Sequence, residues 1–255
     1  MKNFDEYAYY YNMFYGDKDY ATEASTVSML IERYWEGDSK PKTILNLGCG
    51  TGKHDVELSI LGYRVKGIDI SENMISEARS NSHKKGLLFD IGDIRTYRDE
   101  NKYDVCTSLF HVMSYQNGNN DLLSAFETAN LELNDNGLLI FDCWYGPGVL
   151  SEKPEVRIKK IEDEHNTLIR QAIPVMYPES NTVDVNYDIM IINKENNTVY
   201  DIKETHRMRY LFTPEIELML KESGFKLLDC IDCNSLEQVT FNSWTAYFIA
   251  RKQKK

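Results

Sequence analysis

Alternating glycines mark the first segment that could do chemistry. Gly48, Gly50 and Gly52 lie in LNLGCGTG, which follows an apolar run and opens a helical stretch. Glycine has no Cβ, so backbone N–H groups in this turn can approach a ligand closely. The N-terminus of the helix that follows favours a carboxylate or a phosphate. The segment alone is weak evidence, because dinucleotide-binding enzymes use a similar turn.

Two acids that end later apolar runs add weight to the glycine turn. Asp69 ends the next run, where a carboxylate can accept both hydroxyl groups of a ribose. Asp93 follows the third run and precedes Ile94. The carboxylate can accept from the exocyclic amine of adenine while the isoleucine packs against the ring. Either acid alone is equally well explained as a turn or helix-cap residue. The three features in this order predict a nucleoside-bearing ligand.

A second group of side chains could accept a proton. The candidates are His111 and Tyr115, which follow the fourth apolar run, and Glu204 and His206, which lie on a later strand-like run that also carries Arg209. Glu204 and His206 share a face at a spacing of two, whereas Arg209 lies on the other face unless a bulge intervenes. Arg209 could pair with a diphosphate through both arms of its guanidinium. The alternatives are a packing histidine, a core aromatic residue and a solvated strand face.

These residues need an α/β fold to position them. Strand-like runs at 43–48, 63–69, 87–91, 103–110 and 137–144 alternate with helical stretches at 52–61, 71–83 and 119–133, and Asn134 to Gly137 reads as a turn. This alternation predicts a parallel sheet covered by helices on both faces. From 155 to 212 the apolar period becomes two, which predicts an antiparallel meander. A helix at 214–223 and strands at 225–232 and 244–251 complete a Rossmann-like, seven-stranded sheet with an antiparallel β insertion.

The predicted organisation has three parts. Residues 1–40 form an N-terminal helical lid, with a helix at about 20–36 and a dense aromatic segment at about 4–16. The aromatic segment either packs on the core or closes over a ligand. Residues 41–150 and 213–255 form the ligand-binding domain, and 151–212 form the insertion. We expect the insertion to lie over the carboxyl edge of the parallel strands, where such folds bind ligands.

The segments LNLGCGTG, GIDIS and GDI, with the strand NDNGLLIFD, together resemble class I S-adenosylmethionine-dependent methyltransferases. The resemblance covers about 43–143 and implies S-adenosyl-L-methionine as the cofactor. It implies that the three glycines hold the methionyl part, Asp69 the ribose, and Asp93 with Ile94 the adenine. The further cofactor contacts that it implies are Cys49, Thr51, Ile70, Met74 and Leu109.

The flanking segments resemble a narrower group, the N-methyltransferases of nucleotide-linked (dTDP) amino sugars. The residues that carry this resemblance are YYNMFYGDKDYATEA (9–24), DCWYGP (142–147) and ETHRMRYLFT (204–213). It implies that Tyr11 and Tyr20 reach the methionyl end of the cofactor. It also implies that Tyr115, Trp144, His206 and Arg209 lie near the sugar, and a possible homodimer, although His111 stands where those relatives carry a small residue. With the proton-acceptor candidates, this predicts Tyr115, His111 and His206 as catalytic residues and Trp144, Tyr145, Glu204 and Arg209 as substrate contacts.

Methyl transfer from a sulfonium is an in-line displacement that needs orientation and, for an amine acceptor, loss of a proton. A hydroxyl acceptor or a small amine would suit the same cofactor. A non-catalytic binding module is a further alternative. An NAD-dependent oxidoreductase is disfavoured, because the glycines follow GxGxG and Asp93-Ile94 suits adenosine without a second nucleotide.

Composition excludes several other classes. The formal charge of −11 disfavours nucleic acid as a partner, since phosphates require a surface rich in Lys and Arg. The acidic, aromatic N-terminus and the lack of a long apolar run predict a cytoplasmic protein without a membrane partner. The five histidines are scattered and Cys230 and Cys233 form one CxxC pair, so we expect no metal site.

Overall fold

Apolar runs that end in polar turns form the central sheet of the protein. The computed structural model describes residues 13–16, 18–37, 39–80 and 86–254. Five strands pair in parallel, with a helix in each connection except the one from the third strand to the fourth: β1 (Thr43–Leu47), β2 (Arg64–Asp69), β3 (Leu87–Ile91), β4 (Tyr103–Ser108) and β5 (Leu133–Tyr145). Strand β11 (Thr245–Lys252) pairs antiparallel with β5, and β10 (Phe225–Asp232) pairs with β11. The seven strands lie in the order β3-β2-β1-β4-β5-β11-β10. The Rossmann-like, seven-stranded sheet predicted from the sequence is confirmed.

Helices cover both faces of this sheet. Their bounds are α1 (Tyr20–Tyr34), α2 (Lys53–Ile60), α3 (Glu72–Ser80), α4 (Asn119–Glu132), α5 (Gly146–Ser151) and α6 (Thr213–Glu222). Buried side chains of α1, α2 and α3 share one apolar core, and those of α4 and α6 share the other.

Helix α1 is part of the folded core. Its residues Ala24, Val27, Leu30 and Ile31 recur at helical spacing and are fully buried. Burial of a large aliphatic side chain contributes about 1.5–3 kcal/mol, so this face anchors the helix firmly. Residues 20–34 of the segment predicted as a lid are therefore packed on the core domain.

The insertion is an antiparallel meander that leans on the end of β5. Its strands are β6 (Arg157–Glu162), β7 (Asn166–Tyr177), β8 (Thr182–Asn193) and β9 (Val199–Leu211), each paired with the next. At its end β9 pairs in parallel with β5 through Trp144 opposite Tyr210 and Tyr145 opposite Leu211. This pairing places β9 at the carboxyl edge of the parallel strands.

Two local predictions differ from the structure. The fourth strand ends at Ser108, because Phe110 and His111 both have φ of 65° and turn the chain out of the sheet. Asn134 to Gly137, predicted as a turn, belong to the start of β5, where the pairing with β4 shifts register and Asn136 has φ of 62°. A long strand can absorb such an irregularity without ending.

Candidate active site

One cavity of about 450 Å³ lies at the carboxyl ends of the parallel strands. The structure brings to it most of the predicted site residues, which come from the core domain, the first turn of α1 and the insertion. They are Tyr20, Gly48, Cys49, Gly50, Thr51, Asp69, Ile70, Met74, Asp93, Ile94, Leu109, His111, Tyr115, Trp144 and His206. Tyr11 lies outside the described residues.

The glycine turn forms one end of the cavity, here called the glycine end together with Asp69 and Asp93. Gly48 and Gly50 have φ of 80° and 56°, values that L side chains rarely adopt. The N–H groups of Gly48 and Cys49 both donate to the carbonyl of Ile68, at 2.8 Å. A Cβ at Gly50 would meet no protein atom within 4 Å, so this part of the turn is open to a ligand.

Asp69 ties the turn to β2. Its Oδ2 accepts from the Gly50 N–H and its Oδ1 from the Ser71 N–H, both at 2.9 Å. Burial raises the pKa of this carboxyl, and the two backbone donors oppose that rise. A carboxylate held in this way stays fixed at the cavity wall, where it can accept further hydroxyl groups.

Asp93 is held by the guanidinium of Arg95. The Nε of Arg95 lies 2.9 Å from Oδ1 of Asp93, and its Nη2 lies 2.6 Å from Oδ2. Nη1 of the same arginine donates to Asp121. The guanidinium beside Asp93 lowers the pKa of that carboxyl, which keeps it ionised and able to accept.

The first turn of α1 contacts α2, and the residues that precede α1 contact this turn. We call residues 13–16 and 18–23 the N-terminal strap. Glu23 lies 2.7 Å from the buried His54 ring and also pairs with Lys18. Lys18 places its ammonium 3.8 Å from the centroid of the Phe110 ring, and the Tyr20 ring meets His54 edge-on. The strap thus connects the glycine end to the loop that follows β4.

A hydrogen-bonded chain of three side chains crosses the opposite end of the cavity. The Tyr115 hydroxyl lies 2.8 Å from Nδ1 of His206, and Nε2 of His206 lies 2.9 Å from Oε2 of Glu204. A carboxylate can only accept, so the Nε2–H donates to Glu204 and Nδ1 accepts from Tyr115. His206 is 2% exposed, which keeps this chain of groups, here called the Tyr–His–Glu relay, away from bulk water.

Aromatic rings enclose the relay. Trp144 and Trp244 meet edge-on with centroids 4.8 Å apart, and the Tyr187 ring lies 5.0 Å from that of His206. Burial raises the pKa of Tyr187 to about 12, so its hydroxyl stays neutral. This end of the cavity, the aromatic end, is lined by Tyr115, Trp144, Tyr187, His206, Met208 and Trp244.

Four of the predicted contacts lie away from the cavity. Gly52 has φ of 74° and begins α2, and a Cβ there would lie 2.5 Å from the Phe89 ring. A glycine is therefore required at position 52 so that the start of α2 can pack against Phe89. Tyr145 is buried in the core, because successive residues of a strand face opposite sides and Trp144 takes the cavity side.

Glu204 and Arg209 need the same correction. Glu204 lies behind His206, so it can act only through that ring. Arg209 lies on the opposite face of β9, as its spacing predicts, and its guanidinium donates to Asn119 at 2.8 Å. Neither residue contacts the cavity, and a diphosphate role for Arg209 finds no support in this placement.

Several cavity residues were missed by sequence reasoning. They are Lys53, His54, Arg95, Phe110, Val112, Gln116, Tyr187, Met208 and Trp244. Tyr15, which also lines the cavity, belongs to the aromatic segment that the sequence analysis considered as a cover for a ligand. Met208 follows His206 by two on the same strand and was therefore within reach of a period-two argument. Tyr187 and Trp244 required knowledge of strand register, which the sequence pattern does not supply.

Comparison with known proteins identifies the family to which the chain belongs. Residues 44–137 match the family model described as a methyltransferase domain. The putative methyltransferase YqeM of Bacillus subtilis (strain 168) is 30% identical over 187 residues, which is 72% of this chain and 73% of the relative. A putative methyltransferase of Geobacillus sp. (strain WCH70) is 24% identical over 98% of this chain and 99% of its own length. The chain belongs to the class I S-adenosylmethionine-dependent methyltransferases.

A further relative has a more specific name. The dTDP-3-amino-3,4,6-trideoxy-alpha-D-glucopyranose N,N-dimethyltransferase of Streptomyces venezuelae is 22% identical over 224 residues, 87% of this chain and 91% of the relative.

Two solved structures share the fold. An S-adenosylmethionine-dependent methyltransferase from Clostridium acetobutylicum ATCC 824 has a TM-score of 0.80, 20% identity, and covers 98% of this chain and 99% of its own. The sugar N-methyltransferase KedS8 from Streptoalloteichus sp ATCC 53650 has a TM-score of 0.81 at 17% identity, over 96% and 93%.

The glycine end fits the S-adenosylmethionine cofactor of this family. The open face at Gly50 leaves room where a Cβ would stand, and Asp69 and Asp93 offer acceptors for hydroxyl and amine groups. Lys53 at the start of α2 lines the same end and can face a carboxylate. Within the described ranges, no cluster of three His, Cys, Asp or Glu side chains could hold a metal ion, and no helix is long and apolar enough to cross a membrane.

Proposed function

We propose that this enzyme transfers a methyl group to the nitrogen of a small-molecule amine, with a nucleotide-linked amino sugar as the acceptor class. The observation that carries the proposal is that one cavity joins the glycine end to the Tyr–His–Glu relay. A cofactor held at one end and a proton acceptor at the other are what N-methylation requires.

The chain's own residues supply orientation and a path for the proton. Bound S-adenosylmethionine supplies an electrophilic methyl group. Orientation of two reactants can contribute about 7–11 kcal/mol, and here Asp69, Asp93 and the glycine turn would fix one of them. As the acceptor amine loses a proton to Oη of Tyr115, the tyrosine proton moves to Nδ1 of His206. Glu204 then stabilises the imidazolium.

The acceptor class is supported by the relatives and by the shape of the site. Two relatives at 22% and 24% identity are named as N,N-dimethyltransferases of dTDP-linked amino sugars. The aromatic end offers flat apolar walls suited to a sugar ring. A diphosphate needs cationic partners. The Lys and Arg side chains among the described lining residues are Lys53 and Arg95, and both lie at the glycine end. We therefore infer that the sugar enters the aromatic end and that the diphosphate stays outside it.

O-methylation is the second candidate, because the relay could take a hydroxyl proton equally well. The two reactions differ in their products. An amine accepts one and then a second methyl group, whereas a hydroxyl accepts one.

The test is incubation of the full chain with methyl-labelled S-adenosylmethionine and matched sugars. The pair is dTDP-3-amino-3,4,6-trideoxy-alpha-D-glucopyranose, the sugar in the name of the Streptomyces venezuelae relative, and its 3-hydroxy counterpart. We expect label only on the amino sugar, with mono- and dimethyl products resolved by mass spectrometry. Label on the hydroxy sugar alone, or only on small amines and alcohols without a nucleotide, would overturn the acceptor class.

A further inference from the structure

The loop after β4 contains a backbone corner that requires an anchor. Phe110 and His111 are consecutive, neither is glycine, and both have φ of 65°. Non-glycine residues adopt this conformation rarely, and two in succession persist only when the surroundings hold them. The corner starts the turn that carries Val112 to the glycine end and Tyr115 to the relay. Its conformation therefore affects both ends of the cavity.

Asp142, near the end of β5, is that anchor. Its Oδ1 accepts from the Phe110 N–H at 2.6 Å, and its Oδ2 accepts from the His111 N–H at 3.0 Å. The residue is 4% exposed. A buried carboxylate needs several partners to remain charged, and here the backbone of the corner supplies two of them.

The same carboxylate lies against the His111 ring. Nδ1 of His111 is 2.5 Å from Oδ2 of Asp142; the two atoms are in close contact, but this buried nitrogen makes no hydrogen bond of regular geometry with a described residue. An adjacent carboxylate favours a proton on the nitrogen that faces it, which leaves the other nitrogen as an acceptor. Because His111 lines the cavity and its Nδ1 is covered, the opposite edge of the ring, which carries Nε2, is the edge available to a bound molecule.

We propose that Asp142 is a positioning residue for methyl transfer: it holds the Phe110–His111 corner and fixes the proton of His111 on Nδ1, so that Nε2 presents a lone pair to the acceptor. With Oη of Tyr115, Nε2 of His111 forms a pair of acceptors one turn apart on the same loop. A primary amine carries two N–H groups and can satisfy both, whereas a hydroxyl can satisfy only one. Only this match to an amine rests on the proposed function; the role of Asp142 in holding the corner does not.

The first measurement needs no acceptor and therefore stands if the proposed function fails. Long-range ¹H–¹⁵N spectra of the full chain with ¹⁵N-labelled histidine report the tautomer of each ring, and the H111A variant assigns His111 among the five histidines. At a pH where the ring is neutral, we expect the Nδ1–H tautomer in the wild type. In D142N the amide replaces one acceptor by a donor, and we expect the Nε2–H tautomer or a mixture.

D104N is the matched control. The Asp104 carboxylate also accepts backbone N–H groups, those of Lys42 and Thr43, but it lies at the start of β4, at the other edge of the sheet. We expect D104N to keep the wild-type tautomer. An Nε2–H tautomer in the wild type, or the same tautomer in wild type and D142N, would overturn the proposal.

The second measurement uses turnover. With an amino-sugar acceptor, we expect D142N to lower kcat on the order of 100-fold, the effect of misplaced reacting groups, with a smaller change in the acceptor KM. The losses from H111A and D142N should not multiply in the double variant, because the two residues act as a unit. Fully multiplicative losses, or an equal loss in D104N, would show that Asp142 serves only stability.

Discussion

At the scale of single residues, carboxylates shape both walls of the cavity by accepting backbone N–H groups. Asp69 fixes the glycine turn through Gly50, and Asp142 fixes the corner after β4. Their positions at strand ends follow from the fold, since the carboxyl ends of parallel strands meet at one edge. Sequence spacing predicted a cofactor contact for Asp69. The role of Asp142 could not be predicted. The strained residues that it holds, Phe110 and His111, are not glycines, so the sequence gives no sign of their positive φ.

The first prediction concerns Asp69. D69N removes the charge but keeps the size of the side chain, so it tests the carboxylate as an acceptor for ribose. Hydrogen bonds to a charged group contribute about 1.5–3 kcal/mol, so the Kd for S-adenosylhomocysteine should rise about 10- to 100-fold in a calorimetric titration. D188N, at a surface carboxylate that pairs with Lys203 on the insertion, should keep the wild-type Kd. An unchanged Kd in D69N would exclude the assigned role.

The second prediction concerns the Tyr–His–Glu relay. Y115F removes the hydroxyl that contacts His206 while the ring remains, and general base catalysis contributes about 10²- to 10⁴-fold. We expect kcat to fall by at least about 100-fold in steady-state kinetics, with the Kd for S-adenosylhomocysteine preserved. E204Q should lower kcat less, because it acts through His206. Wild-type kcat in Y115F would remove the relay from the mechanism.

At the scale of elements, the alternation of strand and helix was enough to predict the sheet, and the period of two was enough to predict the insertion. The exceptions have local causes. Strand β4 ends early because Asp142 captures the following N–H groups. Gly52 was assigned to the cofactor by its place in the motif. The structure shows another reason for the glycine, because the Phe89 ring leaves no room for a Cβ at this position. A motif read along the chain cannot distinguish these two uses of glycine.

The third prediction concerns the junction of β1 and α2. Asp55 is fully buried beneath the glycine turn, accepts from Asn46 at 2.8 Å, and burial raises its pKa to about 7. Between about pH 4, where an unfolded aspartate ionises, and pH 7, the folded chain keeps a proton that the unfolded chain loses. Stability from this residue is thus present below about pH 4 and is lost as pH rises to 7, at about 1.4 kcal/mol per pH unit.

The measurement is urea unfolding of wild type and D55N at several pH values between 5 and 7. D55N should lack this slope, so its free energy of unfolding should rise relative to that of the wild type as pH increases. D104N is the control. Burial acts to raise the pKa of Asp104, but hydrogen bonds from backbone donors outweigh it, and the net pKa is lowered. Asp104 therefore does not titrate between pH 5 and 7, and D104N should keep the wild-type slope. A parallel pH dependence in D55N and wild type would contradict the assignment.

The fourth prediction concerns the N-terminal strap. E23Q weakens the pairing of Glu23 with both His54 and Lys18, so the strap should open more often. Hydrogen exchange followed by mass spectrometry should show faster exchange in residues 13–23 of E23Q than of wild type. Exchange in α6, whose buried side chains belong to the apolar core that contains no residue of α1, serves as the internal reference. Equal exchange of the strap in both proteins would show that Glu23 does not latch it.

At the scale of the whole molecule, three separate parts of the chain complete one cavity. The core domain supplies the glycine end, the strap covers it through Tyr15 and Tyr20, and the insertion supplies Tyr187, His206 and Met208. The order of elements could be predicted from sequence. The contacts between parts could not, because they depend on the register of β8 against β9 and on the parallel pairing of β9 with β5. Arg209 shows the consequence: its face was predicted correctly, but not its partners.

The measurement that tests the account most directly is a crystal structure of the full chain with S-adenosylhomocysteine. We predict the adenosine between Asp69 and Asp93, with the sulfur directed toward Tyr115 and His111. Adenosine bound elsewhere, or a sulfur that faces away from the aromatic end, would contradict the claim that cofactor and proton acceptor meet in this cavity.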